Sequence, residues 1–442
     1  MVVVFAVVLI VVVALLAGVH RYLWRRFVGD TTAPGTALRR LGTVAAFVLP
    51  LLSVGALVSG QAGAPFWLQR SLAWPGYLWL ACLLYLTLAL LVGEAVRPLL
   101  RRVLDRRRPE HASGGAGGGT APDAEDLAHE STDALVPSGA TARTAAPEPA
   151  GPAQAPSAVA VPASTAPGPS RRLFVARAVG GAAAVAGFGT VGYGTYGVLR
   201  GPRTKRITVP LARLPRSAHG FRIAVVSDIH LGPILGHAHT RRVVDSINAT
   251  RPDLIAVVGD LVDGSVEDLG YAAEPLADLE ARHGSFFVTG NHEYFSGAAE
   301  WVDHVRELGL HPLENARVEI DGFDLAGVND VAGESEGQGP DFDRALGDRD
   351  PSRAAVLMAH QPVVIDDAVA HGVDLQLSGH THGGQLWPGN LVAELANPTV
   401  AGLERYGDTQ LYVSRGAGAW GPPVRVGAPS DITVVELASR QA

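Results

Sequence analysis

The sequence of 442 residues contains a single cysteine, Cys82, which lies inside an apolar segment. One thiol cannot form a disulfide within the chain, and it cannot build a metal site of several thiolates. The formal net charge is only −7, which gives no sign of a nucleic-acid-binding protein. We therefore expect no nucleic-acid partner, and any metal site has to use oxygen and nitrogen ligands.

Large apolar side chains are almost absent from residues 109–170, which are rich in alanine, proline, glycine, serine and threonine. A segment of this composition cannot bury enough apolar surface to offset the entropy of the chain. The sequence therefore predicts a disordered linker at 105–170, preceded by a membrane region at 1–104.

Long apolar runs dominate the first hundred residues. Three of them approach the roughly 20 residues that a helix needs to cross a bilayer, and they predict transmembrane helices at about 2–19, 41–60 and 76–96. A cleavable signal peptide is the alternative for the first run, but no basic segment precedes it and no cleavage site is obvious. A fourth, glycine-rich run at 173–199 follows Arg171 and Arg172, and it predicts a fourth span or a twin-arginine-like signal anchor at 171–200.

Arginine residues are distributed unevenly around these runs. Several follow the first run and the third run, whereas Arg70 alone lies between the second and the third. Because arginine-rich flanks favour the cytoplasmic side, the sequence predicts an N-terminus outside and an inside position for the end of the third span. One further crossing places residues 205–438 outside the cytoplasm, although basic residues at 200–206 oppose that placement.

From Phe221 onwards, short β-branched runs alternate with helix-like stretches. This alternation predicts an α/β fold in which helices cover the faces of sheets. The predicted strands are 221–227, 253–258, 285–289, 323–328, 354–359, 373–378, 410–415 and 431–437. The predicted helices are about 238–248, 298–309 and 362–370.

Polar clusters follow five of these strands at their carboxyl ends. They are Asp228-Ile229-His230, Gly259-Asp260, Gly290-Asn291-His292-Glu293, His360 and Gly379-His380-Thr381-His382. Since the carboxyl ends of strands in open α/β sheets converge on one crevice, these groups can meet in space. Two carboxylates, one amide oxygen and four imidazoles form an oxygen and nitrogen set suited to manganese, iron or zinc. Seven ligands are too many for one catalytic metal ion and suit two ions that share a carboxylate.

The order of these five motifs resembles the calcineurin-like metallophosphoesterase superfamily. The segments GHTHGGQLWP and LYVSRGAGAWGPPVR look like its membrane-anchored bacterial branch. The resemblance covers about residues 207–438 and implies a four-layer αββα sandwich.

The resemblance also implies a role for each polar group. It implies a first metal ion bound by Asp228, His230 and His382. It implies a second metal ion bound by Asn291, His360 and His380. Asp260 would bridge both ions. His292 would bind no metal; it would contact the phosphoryl oxygen or protonate the leaving group.

The implied activity is hydrolysis of a phosphate ester, and we expect a phosphodiesterase that uses two divalent ions and a hydroxide bridging them. The alternatives are a phosphomonoesterase, or a membrane sensor or transporter with a vestigial metal-binding domain. The membrane anchor favours a lipid-linked or cell-envelope phosphodiester as substrate. The expected location is the cell membrane, with several spans and an extracytoplasmic catalytic domain.

Some polar residues near these motifs allow two interpretations. His237 and His239 form a second His-x-His pattern, which we interpret as the solvated start of an amphipathic helix because no strand-end glycine precedes it. Asp263, Glu293 and Asp330 are either turn residues or groups that orient ligating imidazoles. The sequence favours the orienting role only for Glu293.

Overall fold

The computed structural model describes residues 2–106 and 171–441. The predicted linker at 105–170 lies outside these ranges, apart from its first two residues. The described residues form four long helices and an α/β domain built on two sheets.

Long apolar helices occupy the N-terminal part of the chain. They are α1 (Val2–Trp24), α2 (Ala37–Ser59), α3 (Phe66–Arg106) and α4 (Arg171–Leu199). In the described residues, α2, α4 and most of α3 are long and apolar enough to cross a membrane. They correspond to the second, third and fourth apolar runs of the sequence. The first run lies in α1, and its crossing stays a prediction.

The glycine-rich sequence of α4 permits close packing against α3. A Cβ atom at Gly187 would clash with Leu86, and one at Gly93 would clash with Val179. Small residues allow two helix backbones to approach in a membrane. In these two contacts the residue number rises along α3 while it falls along α4, so the two helices are antiparallel. The beginning of α3 and the end of α4 therefore lie at the same end of the bundle.

Arginine side chains gather at the other end of the bundle. Arg26 forms an ion pair with Glu94, with 2.8 Å between Nε and Oε1. The small pocket beside this pair is lined by Arg25, Arg26, Asp30, Arg97, Arg101, Arg172 and Ala176. One end of the bundle is therefore strongly basic, and the opposite end adjoins the α/β domain.

The α/β domain contains two six-stranded sheets. In chain order the strands are β1 (Arg203–Leu211), β2 (Phe221–Val226), β3 (Leu254–Val258), β4 (Ser285–Val288), β5 (His311–Pro312), β6 (Ala316–Ile320), β7 (Phe323–Gly327), β8 (Ala354–Met358), β9 (Leu375–Ser378), β10 (Gly402–Tyr406), β11 (Thr409–Val413) and β12 (Asp431–Ser439). The sheets have the orders β1-β12-β2-β3-β4-β5 and β10-β11-β9-β8-β7-β6. Strands β2, β3 and β4 are mutually parallel, and so are β8 and β9, so their carboxyl ends lie at common edges.

Seven shorter helices occur in the described part of the α/β domain, and five of them cover the outer faces of the two sheets. The seven are α5 (His237–Asn248), α6 (Val266–Ala273), α7 (Asn291–Ser296), α8 (Ala298–Glu307), α9 (Phe342–Leu346), α10 (Ile365–Ala370) and α11 (Gly389–Ala396). One apolar core joins the two sheets, where Val225 and Val258 share a cluster with Val356 and Leu377. Two more cores lie between the first sheet and α5, α6 and α8, and between the second sheet and α9 and α10. These layers form the predicted αββα sandwich, and the fold prediction is confirmed.

All eight predicted strands are present within about two residues of their predicted bounds. The sequence did not predict β1, β5, β6 and β10. Strand β5 has two residues, and the other three carry polar residues at many positions. The basic residues Arg203, Lys205 and Arg206 belong to β1, which pairs with β12, so they form part of the α/β domain.

Candidate metal centre

All seven predicted ligands lie in one crevice, at the carboxyl ends of β2, β3, β4, β8 and β9. Five of them adopt the left-handed backbone conformation, with positive φ angles at Asp228, His230, Asp260, His380 and His382. This conformation costs a residue other than glycine about 1–3 kcal/mol, and such strain concentrates at functional sites. The strand ends thus turn sharply, and the turns bring the polar side chains together.

Asp228, His230 and His382 form the first group of candidate ligands. One ligand atom from each lies within 4.8 Å of the others, and all three side chains are buried. The Nε2 atoms of His230 and His382 are 2.9 Å apart, and Nε2 of His382 is 3.4 Å from Oδ1 of Asp228. This spacing is compact enough for one metal ion.

Asp260, His360 and His380 form the second group, within the same 4.8 Å limit. Nδ1 of His380 lies 2.9 Å from Oδ1 of Asn291, which adds the amide oxygen to this group. Oδ2 of Asp260 is 3.1 Å from Nε2 of His360 and 3.8 Å from Nε2 of His230. The Asp260 carboxylate therefore lies between the two groups.

The hydrogen bonds of His360 test whether this crevice fits a cation. Its Nδ1 donates to the carbonyl oxygen of Val258 at 2.8 Å, since a carbonyl can only accept. In the neutral ring, Nε2 then presents a lone pair to the Asp260 carboxylate, and this buried atom has no hydrogen-bond partner among the described residues. A positive charge has to separate the two atoms, either as a proton on Nε2 or as a metal ion. The residues therefore fit divalent metal ions, whose usual ligands are imidazole and carboxylate.

The buried charges agree with this conclusion. Burial by itself opposes a charge on Asp260, but the neighbouring imidazoles of His360 and His230 lower the pKa of its carboxyl. Burial likewise opposes a charge on His230, yet the carboxylates of Asp263, Asp260 and Asp228 raise its pKa to about 9. The crevice thus favours positive charge beside its carboxylates.

Asp263 connects His230, a candidate metal ligand, to His292, the candidate for protonating the leaving group. Its Oδ1 lies 2.8 Å from Nδ1 of His230 and 2.8 Å from Nδ1 of His292. Although these three residues also have the spacing of a metal site, the short contacts are those of two hydrogen bonds to one carboxylate. The sequence did not favour this orienting role, because the distance between residues 230 and 263 along the chain gives no sign of the contact.

Glu293 holds the loops that carry two of the predicted ligands. The fully buried carboxylate accepts hydrogen bonds from the backbone N–H groups of Asp260, Leu261 and Gly290 at 2.6–3.0 Å. It therefore contacts backbone amides, whereas the sequence favoured a contact with an imidazole. Its position fixes Asp260 relative to the loop of Asn291 and His292.

Arg425 is a buried residue of the centre that the sequence analysis did not single out. Its guanidinium donates to Nδ1 of His382 at 3.0 Å and to the backbone carbonyl of His382 at 3.1 Å. Burial, His230 and Arg425 together lower the pKa of His382. The only sign of Arg425 in the sequence is its place in the segment GPPVR.

The prediction of a solvated helix start was wrong for His239, whose side chain is 2% exposed. It lies on the face of α5 that also buries Thr240, Val243 and Ile247. Burial, with the charges of Arg242 and Arg425, lowers the pKa of His239 to about 3. Its ring is not one of the candidate ligands.

Comparison with known proteins agrees with this geometry. The family model described as "Calcineurin-like phosphoesterase" matches residues 221–384, which include every predicted ligand. An "Uncharacterized metallophosphoesterase" of Aquifex aeolicus is 34% identical over 240 residues, which are 53% of this chain and 91% of that protein. The chain belongs to the calcineurin-like metallophosphoesterases.

Two longer relatives match a similar share of this metallophosphoesterase. A "Transmembrane protein with metallophosphoesterase domain" of Danio rerio is 36% identical over 259 residues, which are 55% of this chain and 59% of that protein. An "Uncharacterized metallophosphoesterase" of Helicobacter pylori is 38% identical over 247 residues, which are 55% of this chain and 66% of that protein. The match thus spans less than two thirds of the length of these two relatives.

Proposed function

We propose that this metallophosphoesterase is a two-metal phosphodiesterase anchored in the cell membrane. The observation that supports this proposal most directly is the position of Asp260, between two groups of ligand atoms and beside His292. Asp228, His230 and His382 would hold one divalent ion, and Asn291, His360 and His380 the other. When bound, the two ions would supply a hydroxide near neutral pH and stabilise charge on the phosphoryl oxygens.

His292 is the residue that we propose for proton transfer. Asp263 engages its Nδ1, and the ring makes edge contacts with Phe295 and Trp420. These contacts fix the ring and leave Nε2 for a phosphoryl oxygen or for the leaving group. A ring that Asp263 holds at the wall of the cavity suits a general acid.

The cavity beside the metal centre is large enough for a phosphodiester. The cavity has a volume of about 1320 Å³, which is larger than the roughly 300–1,000 Å³ of common ligand sites. A diester carries two substituents on phosphorus, and the cavity has room for both.

The first test is metal content together with turnover. We expect about two ions per chain after reconstitution of the full chain with manganese, and faster hydrolysis of an aryl phosphodiester than of the matching aryl monoester. Elemental analysis and release of the aryl alcohol provide the two measurements. One ion or none would contradict the two-metal site, and two ions without turnover of either ester would indicate a sensor.

The chain would then divide into a membrane region at 1–104, a linker at 105–170, an anchor helix at 171–200 and a catalytic domain at 205–438. The arginines at one end of the helical bundle support an extracytoplasmic catalytic domain, since this domain adjoins the opposite end. Three of the four basic residues after Leu199, Arg203, Lys205 and Arg206, lie in β1 and belong to the α/β domain.

Reporter fusions test this orientation. A reporter that fluoresces only in the cytoplasm should be dark when it follows Ala442, because the catalytic domain is outside. The same reporter fused after Arg106 is the matched control and should be bright. Bright fusions at both positions would show that α4 does not cross, and the reverse pattern would show that the whole orientation is inverted.

A further inference from the structure

The metal centre opens into a cavity that the membrane helices help to enclose. The walls include Asp260, Asn291 and His292 from the centre, and Leu57, Ala73 and Leu84 from α2 and α3. Polar groups thus form one side of a single cavity, and apolar side chains of the helical bundle form the other. A ligand that fills it has to carry a charged part and an apolar part.

The cavity lies near the membrane boundary opposite the basic end of the bundle. Glu94 pairs with Arg26 at the basic end, and a helical rise of about 1.5 Å per residue puts Tyr77 about 25 Å from Glu94 along α3. Tyr77 lines the cavity, and Phe66, at the start of α3, packs against the core of the α/β domain. Since a bilayer core is about 30 Å thick, the metal centre lies near the level of the lipid headgroups.

Helix α11 places an apolar surface beside the same cavity. None of its residues is buried, and Leu391, Val392 and Leu395 are 56%, 68% and 87% exposed. The carbonyl of Trp387, just before the helix, accepts a hydrogen bond from Tyr85 of α3 at 3.0 Å. Tyr85 lies between Tyr77 and Glu94 on α3, so this contact holds the beginning of α11 against the apolar part of the bundle.

The position of α11 explains its exposed leucines and valine. In water, a helix with this much exposed apolar surface would be unfavourable, whereas a membrane interface accepts it. Val392 also lines the cavity. The apolar surface of α11 is therefore continuous with the route from the bilayer to the metal centre.

We propose that the substrate is a membrane lipid with a phosphodiester headgroup, which enters the cavity sideways from the leaflet next to the α/β domain. Its apolar chain would lie against α2, α3 and α11 while its phosphorus reaches the metal centre. Hydrolysis would join the oxygen of one water molecule to phosphorus and break one ester P–O bond, and the departing alcohol would take a proton. This inference rests on the proposed phosphodiesterase activity.

The test uses the manganese-loaded full chain in lipid vesicles and a series of nitrophenyl alkyl phosphodiesters. The alkyl group lengthens from one carbon to about sixteen, while the phosphorus and the nitrophenyl leaving group stay the same. We expect kcat/KM to rise with chain length by tenfold or more in total, since a fully buried methylene contributes up to about fourfold. Longer alkyl chains also partition more strongly into vesicles. A rise of kcat/KM with chain length in the wild type therefore does not by itself show that the chain binds in the cavity.

Variants separate binding in the cavity from partitioning, which is the same for every variant. Val392→Asp should flatten the dependence of kcat/KM on chain length, because it puts a charge in the apolar wall. Val369→Asp is the matched control: Val369 is 37% exposed on α10, away from the cavity, and this variant should keep the wild-type dependence. Val392→Thr keeps nearly the same shape and should give a dependence of kcat/KM on chain length between those of the wild type and Val392→Asp. This variant keeps the test valid if Val392→Asp does not fold.

The outcomes distinguish this inference from the function on which it rests. Hydrolysis without any dependence on chain length, or with the same dependence in all three variants and the wild type, would overturn the lipid substrate and leave the phosphodiesterase standing. Hydrolysis of no member of the series would overturn both. A slope that Val392→Asp flattens and Val369→Asp preserves would support a lipid in the cavity.

Discussion

Asp260→Ala should be inactive and should retain at most one metal ion per chain. The Asp260 carboxylate is buried and lies close to one imidazole of each ligand group, His230 and His360. Without it, no negative charge would lie between two dications, and their mutual repulsion would expel at least one. Two-metal chemistry stabilises a transition state by several kcal/mol, so we expect a loss of about 10³-fold or more in rate.

The measurement compares elemental analysis and diester hydrolysis on the same preparation. Asp268→Ala is the matched control, since Asp268 lines the same cavity with an exposed carboxylate and belongs to neither ligand group. It should retain about two ions and most of the activity. An Asp260→Ala protein that keeps two ions would show that Asp260 does not bridge, and full activity in this variant would mean that the site lies elsewhere.

The strands that build the metal centre could be predicted because their apolar sequences suit only the buried interior of the domain. Strands β2, β3, β8 and β9 are almost entirely buried, and they appear as short apolar runs that end at polar residues. The edge strands β1 and β10 have exposed positions and charged residues, so their composition resembles that of loops. Strand β1 pairs with β12, which is distant along the chain, and β10 pairs with its neighbour β11, but neither pairing is visible in the composition of the edge strand itself.

The residues of the metal centre that directly follow the end of a strand could be predicted from the sequence. The seven candidate ligands do so, and the structure brings all of them together. Asp263 and Arg425 do not follow a predicted strand, and their contacts with His230 and His382 arise only when separate loops meet. The burial of His239 likewise depends on which face of α5 packs against the sheet.

The cavity between the metal centre and the helical bundle could not be predicted from the sequence. Apolar runs indicate spans, but they do not show that the helix ends border a catalytic crevice. That relation depends on the antiparallel packing of α3 and α4 and on the hydrogen bond between Tyr85 and Trp387. Neither contact has a local pattern in the sequence.

His292→Ala should be slow but should keep about two metal ions. His292 contacts Asp263 and is not a member of the two ligand groups that contain Asp228 and Asp260. Its removal would take away a transition-state contact while every proposed ligand remains. Loss of one such hydrogen-bond donor costs about 10²–10³-fold in rate, and loss of a general acid about 10²–10⁴-fold.

Leaving-group dependence identifies which of these roles His292 has. If it protonates the departing alkoxide, the deficit of His292→Ala should shrink for esters with acidic leaving groups, which depart without a proton. If it only contacts a phosphoryl oxygen, the deficit should be the same for every leaving group. His304→Ala is a matched control, because His304 is partly buried on α8 and faces no ligand; its rate should not change.

Asp263→Asn adds a second comparison, because Asp263 contacts both His292 and the candidate ligand His230. This variant should lose rate and also bind metal about 10–100-fold more weakly, as expected when the partner of a ligating histidine is altered. His292→Ala should show the first effect without the second. If His292→Ala loses metal in step with activity, then the group of His230, Asp263 and His292 holds an ion, and the division of roles proposed for the centre is wrong.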